Sequence, residues 1–189
     1  EGEHMFVQLD HLKTKELQSD LDAIQAVFEV FLFNVVHKTE SSNTLAIHQQ
    51  MLLNCESLAI EKTLDLNTLT TKKLDRSLVS FDRLDKPNLF SRHNWFWGLL
   101  EAIIDPPYGT TLTHSNQVAF FQAFLRLCLF TEKDCEIYDW VGYSGSGREE
   151  SSEWNDYFEP GREWWGNWCL TIYSPEQNKG CLLLASSTD

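Results

Sequence analysis

The apolar residues of this chain change their spacing near residue 130, and that change constrains the fold more than any other feature. Before Phe130 they recur at steps of three and four; from Cys135 they alternate. Steps of three and four collect side chains on one stripe of a helix, whereas alternation collects them on one face of a strand. The pattern predicts a single α+β domain over 5–189, with a helical part over about 14–130 and a β-rich part over about 135–187. About five N-terminal helices then pack on one face of a small C-terminal antiparallel sheet. A chain of 189 residues holds one full core but not two comfortable ones.

Within the helical part, Leu17, Leu21, Ile24, Phe28, Phe31, Leu32 and Val35 define a stripe that predicts a helix over 15–37, with Thr14 as its N-cap. The dense β-branched and aromatic run from Val27 to Val36 fits a strand as well. Asn43 caps a predicted second helix through Ala59, and a third runs from Thr71 to Leu84. Ser91 caps a fourth, which Pro106-Pro107 stops because neither proline can donate a helical hydrogen bond. Thr113 or Ser115 caps a fifth. Strands follow at 135–141, 165–173 and 180–186, the last two joined by the turn-forming Ser174-Pro175-Glu176-Gln177-Asn178-Lys179.

Glu1-Gly2-Glu3-His4 precede Met5 and read as an expression scar. No basic, apolar leader follows Met5. The richest apolar run, 26–36, is too short for a membrane span. The expectation is therefore a soluble, cytoplasmic protein. Its five cysteines show no C-x-x-C and no grouping with histidine at zinc spacing, so they read as small hydrophobes in a reducing compartment. A Cys169–Cys181 disulfide across the predicted hairpin is the alternative. No cofactor or metal is implied.

A net charge of −13 disfavours nucleic acid and anionic membranes, both of which need clustered Lys and Arg. It favours a basic protein partner reached by electrostatic steering.

The stretch Ile103-Ile104-Asp105-Pro106-Pro107-Tyr108-Gly109 resembles the D-P-P-Y motif of amino-group DNA methyltransferases. That resemblance implies Asp105 polarising a target amine and Tyr108 stacking on a flipped base. Gly145-Ser146-Gly147 similarly resembles the glycine loop with which those enzymes hold S-adenosylmethionine. Such enzymes need a wide, mainly parallel sheet, and their glycine loop opens a helix. Here Glu149 and Glu150 follow the loop and would repel a DNA backbone. The plainer reading is a helix stop and a polar loop. An enzyme built across the helix–sheet junction would draw first on Asp105, Tyr108 and His114. The histidines are dispersed, and no nucleophile lies beside a base.

The feature that resists a bland account is Glu153–Trp168, where four Trp, Tyr157 and Phe158 interleave with carboxylates around Pro160-Gly161. From Glu132 to Glu163 there are ten acids and three bases, so over half of the charge excess lies there. Trp and Tyr combine contact area with a polar handle, and neighbouring carboxylates recognise Arg and Lys. The expectation is a partner-binding surface formed by Glu149, Glu150, Glu153, Trp154, Asp156, Tyr157, Phe158, Glu159 and Trp164. Trp165 and Trp168 drift toward the core. The partner would be a basic protein, and the chain an inhibitor of the immunity or antitoxin type. Alternatives are a nucleotide- or small-molecule-modifying enzyme, a sugar binder and a structural subunit. The competing reading of the segment itself is that its Trp residues cap a small β core and its acids solvate the edges.

Overall fold

Two strands in the last quarter of the chain form the centre of the molecule. The computed structural model describes residues 7–36, 43–142, 149–163 and 165–187, with the backbone alone at Glu149 and Glu150. The Met5 start, the linker 39–42, Gly145-Ser146-Gly147 and Trp164 lie outside the described residues. Strand β5 (Gly166–Ser174) pairs with β6 (Lys179–Ser187) in an antiparallel hairpin that places Gly166 opposite Ser187. All nine residues of β5 are buried. Strands β1 (Val7–Leu9), β2 (Glu29–Val35), β3 (Lys72–Lys73) and β4 (Glu136–Asp139) extend the sheet to six, entirely antiparallel, in the order β1-β2-β6-β5-β4-β3.

Four α-helices, not five, cover this sheet among the described residues: α1 (His11–Ala23), α2 (Leu45–Leu53), α3 (Trp95–Ile104) and α4 (His114–Leu127). They are interleaved with strands rather than gathered ahead of them, and they occupy both faces. Against α1, α3 and α4 the sheet presents Trp168, Leu170, Ile172, Leu183 and Ala185. Against α2 and the 154–158 segment it presents Cys169, Tyr173, Leu182 and Leu184. Each large aliphatic side chain removed from water in this way contributes roughly 1.5–3 kcal/mol before entropy is charged against it.

Double coverage explains the main correction at the N-terminus. The predicted helix over 15–37 is α1 followed by β2, with Gln25 at φ 60 in the turn between them. In β2, Val30 and Leu32 face one core layer while Phe33 and Val35 face the other. A strand apolar on both sides loses its alternation and imitates a helical stripe. Helix α1 is capped by Asp10, which accepts from Lys13 N at 3.1 Å. Thr14, the expected cap, instead accepts from Leu32 N at 2.9 Å, and Gln18 accepts from Val30 N at 2.8 Å. These two side chains satisfy part of the β2 backbone that the short β1 leaves unpaired.

The predicted third helix is absent. Asp75 accepts from Ser77 N at 2.9 Å and so turns the chain, while Arg76 reaches the carbonyls of Phe130 and Glu132. Local side-chain bonds of this kind compete with helical ones. Asn94, rather than Ser91, caps α3 by accepting from Trp97 N at 3.0 Å. The helix ends at Ile104, ahead of Pro106-Pro107.

One buried polar relay lies beneath α2. His48 is fully buried, its Nδ1 2.7 Å from Thr171 Oγ1, and that oxygen also accepts from Trp140 Nε1 at 2.8 Å. Burial, reinforced by the charge of Lys73, lowers the His48 pKa to about 3. All five cysteines are buried free thiols. Cys169 and Cys181 fall on opposite faces of the hairpin, in separate core layers, so the proposed disulfide has no geometry to form.

Candidate binding cleft

The Glu153–Trp168 segment crosses the end of the sheet at which β5 begins and β6 ends. It starts on the α2 face, where Trp154 and Tyr157 pack on the core. It finishes on the α3 face, where the Trp165 indole meets Phe28 edge-on at 6.0 Å. Between them the backbone N–H of Gly161 donates to Ser186 Oγ at 3.0 Å. A Cβ at Gly161 would collide with Asn167 Oδ1 and the carbonyl of Gly166, so the close approach requires glycine.

Polar anchors hold each part of the segment. Asn155 Oδ1 accepts from Tyr157 N at 2.9 Å, starting the short turn Asp156–Phe158, and its Nδ2 donates to the carbonyl of Leu58 at 2.8 Å. Trp154 Nε1 donates to the carbonyl of Trp140 at 3.0 Å. Tyr157 donates its hydroxyl to Glu29 Oε1 at 2.8 Å, and Ser57 donates to the other oxygen at 2.7 Å. Burial first, then the Glu29 charge, push the Tyr157 pKa upward, so the phenol stays a donor at neutral pH. Arg162 straps the segment from within: Nε bonds Ser152 Oγ, and Nη2 bonds the carbonyls of Ser152 and Asn155.

The result is a cleft of about 460 Å³ between the segment and the loop 57–64, with Trp154, Asp156 and Tyr157 on one wall and Leu58, Ile60 and Glu61 on the other. Trp154 and Tyr157 are half-buried; Asp156 and Glu61 are exposed. Glu153 and Glu159 are exposed beside it. The remaining expected surface residues divide. Phe158 is fully buried in the core, in ring contact with Trp154 and Tyr157, and is not part of any surface. Glu149 and Glu150 occupy the short turn 149–152, with side chains outside the described residues, as Trp164 is altogether. The wall at 57–64 escaped sequence reasoning. Its link to Asn155 spans 97 residues, and no local pattern announces it.

The enzymatic candidates converge only in part. Asp105 and His114 line one shallow depression beside α3, while Tyr108 stands 86% exposed outside it. Pro106 to Tyr108 form a turn into Gly109 at φ 80, in keeping with a helix stop. Burial raises Cys55 and Cys135 to about 11 and carries Cys128 and Cys169 well above the ordinary value, which makes these four thiols poor nucleophiles. No helix among the described residues is long and apolar enough to cross a membrane.

Comparison of the chain with models of protein families, with curated proteins and with solved structures finds no match.

Proposed function

We propose that this chain is a non-catalytic binding protein that neutralises a basic protein partner in the cytoplasm, in the manner of immunity proteins and antitoxins. One observation carries the reading: the anchored cleft in which Trp154 and Tyr157 stand beside the exposed carboxylates of Asp156 and Glu61. Aromatic side chains on a rigid backbone bind with little loss of entropy, and neighbouring acids select Arg and Lys while speeding encounter. The net charge of −13 acts in the same direction at longer range.

The test begins with co-purification of a partner from the native host and measurement of its Kd. Trp154→Ala removes the aromatic wall, and an anchor of this kind is worth about 2 kcal/mol, a loss of roughly thirtyfold in affinity. Because Trp154 also packs on Phe158, Asp156→Lys at an exposed position serves as the second variant. If both variants bind the partner as wild type does, this cleft is not the interface.

A further inference from the structure

We propose that a second cleft, at the other end of the same segment, receives the guanidinium group of an arginine presented by the partner. The inference rests on the reading of the chain as a binder of basic protein, but its geometry lies on the opposite face of the sheet. Between α3 and the start of β5 lies an open cleft of about 610 Å³, lined by Glu101, Asp105, Trp165, Trp168, Arg92 and His93 among others. Glu101 and Asp105 are four residues apart at the C-terminal end of α3, so their carboxylates lie on one side of the helix. Neither takes part in an ion pair among the described residues.

Three features make this a site for a cation. The C-terminus of α3 carries the negative end of the helix dipole, and the last turn of that helix contains no Lys, Arg or His to offset it. Two carboxylates add to that potential. The Trp165 indole is held in place because its Nε1–H donates to the carbonyl of Asp105 at 3.0 Å, which fixes an aromatic group beside the acids. A planar guanidinium can stack on an indole and bond a carboxylate through two N–H groups at once, which an ammonium cannot. Arg92 and His93 are exposed on the same cleft. The Arg92 charge opposes an incoming cation, and it gives the experiment its sign.

The probe is the peptide acetyl-Gly-Arg-Gly-amide, titrated into the full chain with the Trp indole N–H resonances as the readout. The Trp165 signal is assigned by its loss in Trp165→Phe. The expected result is a saturable shift of the Trp165 resonance that the neutral citrulline peptide does not reproduce. Glu101→Gln combined with Asp105→Asn weakens binding at least tenfold while the other indole signals keep their positions, and Arg92→Ala tightens it. The proposal is overturned by no saturable shift at Trp165, by an equal response to citrulline, or by weaker binding in Arg92→Ala. A shift confined to Trp154 also overturns it, yet supports the cleft at Trp154 and Tyr157 as the cation site, so the two readings fail separately.

Discussion

Tyr157 and Glu29 lie 128 residues apart in sequence and are joined by a 2.8 Å hydrogen bond from the phenol to the carboxylate. This bond fastens the acidic, aromatic segment to the first residue of β2, and Ser57 completes the same carboxylate from the facing wall of the cleft. One buried-edge acid thereby sets the spacing between the two walls.

Removing the phenol should loosen that arrangement without emptying the core. Tyr157→Phe is expected to cost about 1.5 kcal/mol, the lower end for a bond to a charged group because the site is half-buried. Urea unfolding followed by Trp fluorescence measures it. A loss under about 0.3 kcal/mol would mean that the bond contributes nothing to holding the segment.

Gly161 should tolerate no side chain. In Gly161→Ala the new methyl group meets Asn167 Oδ1 and the Gly166 carbonyl, both fixed at the start of β5. Overpacking of this kind costs about 1–3 kcal/mol. Thermal unfolding should show the loss, and Gly98→Ala is the control, since its nearest neighbours lie at ordinary contact distance.

The buried His48 predicts a pH dependence of stability. It stays neutral in the folded chain down to about pH 3, whereas the unfolded chain protonates it near 6.5. Between those values the unfolded state binds the extra proton, so stability falls as pH falls. Lys73 adds to the effect, the hydrogen bond to Thr171 partly offsets it, and Tyr138 and Tyr173 meet the ring edge-on. The cost from this one group is about 1 kcal/mol between pH 7 and pH 5.5. Urea unfolding across that range should show it, and His48→Gln should flatten the slope. An unchanged slope in the variant would place the pH dependence elsewhere.

Thermal shift separates binder from enzyme. S-adenosylmethionine and the common nucleotides are expected to leave the melting temperature unchanged, because Tyr108 is exposed and does not line the depression that Asp105 and His114 share. A reproducible, concentration-dependent rise would reinstate the enzymatic reading.

Much of the fold was legible where one face of an element is apolar. The periodicities of α4 and β4 and the turn chemistry between β5 and β6 are local signals, and these elements stand near their expected positions. The failures have a common cause in partners distant along the chain. β2 resembled a helix because two core layers bury it from both sides, and the third helix gave way to an Asp75 turn braced by Arg76 against Phe130 and Glu132. In the candidate site, composition drew attention to the segment but could not tell Phe158, which is fully buried, from Tyr157 beside it, which is half-buried. Nor could it show Leu58 and Glu61, whose wall is tied to the cleft by bonds to residues distant along the chain.

Salt dependence of partner binding, measured for wild type and for Asp156→Lys combined with Glu159→Lys, tests the electrostatic account most directly. The account predicts that wild-type affinity falls steadily from 50 to 500 mM NaCl, at about the concentrations where surface charges become screened, and that charge reversal weakens low-salt binding more than tenfold. Affinity unchanged by both salt and charge reversal would contradict it.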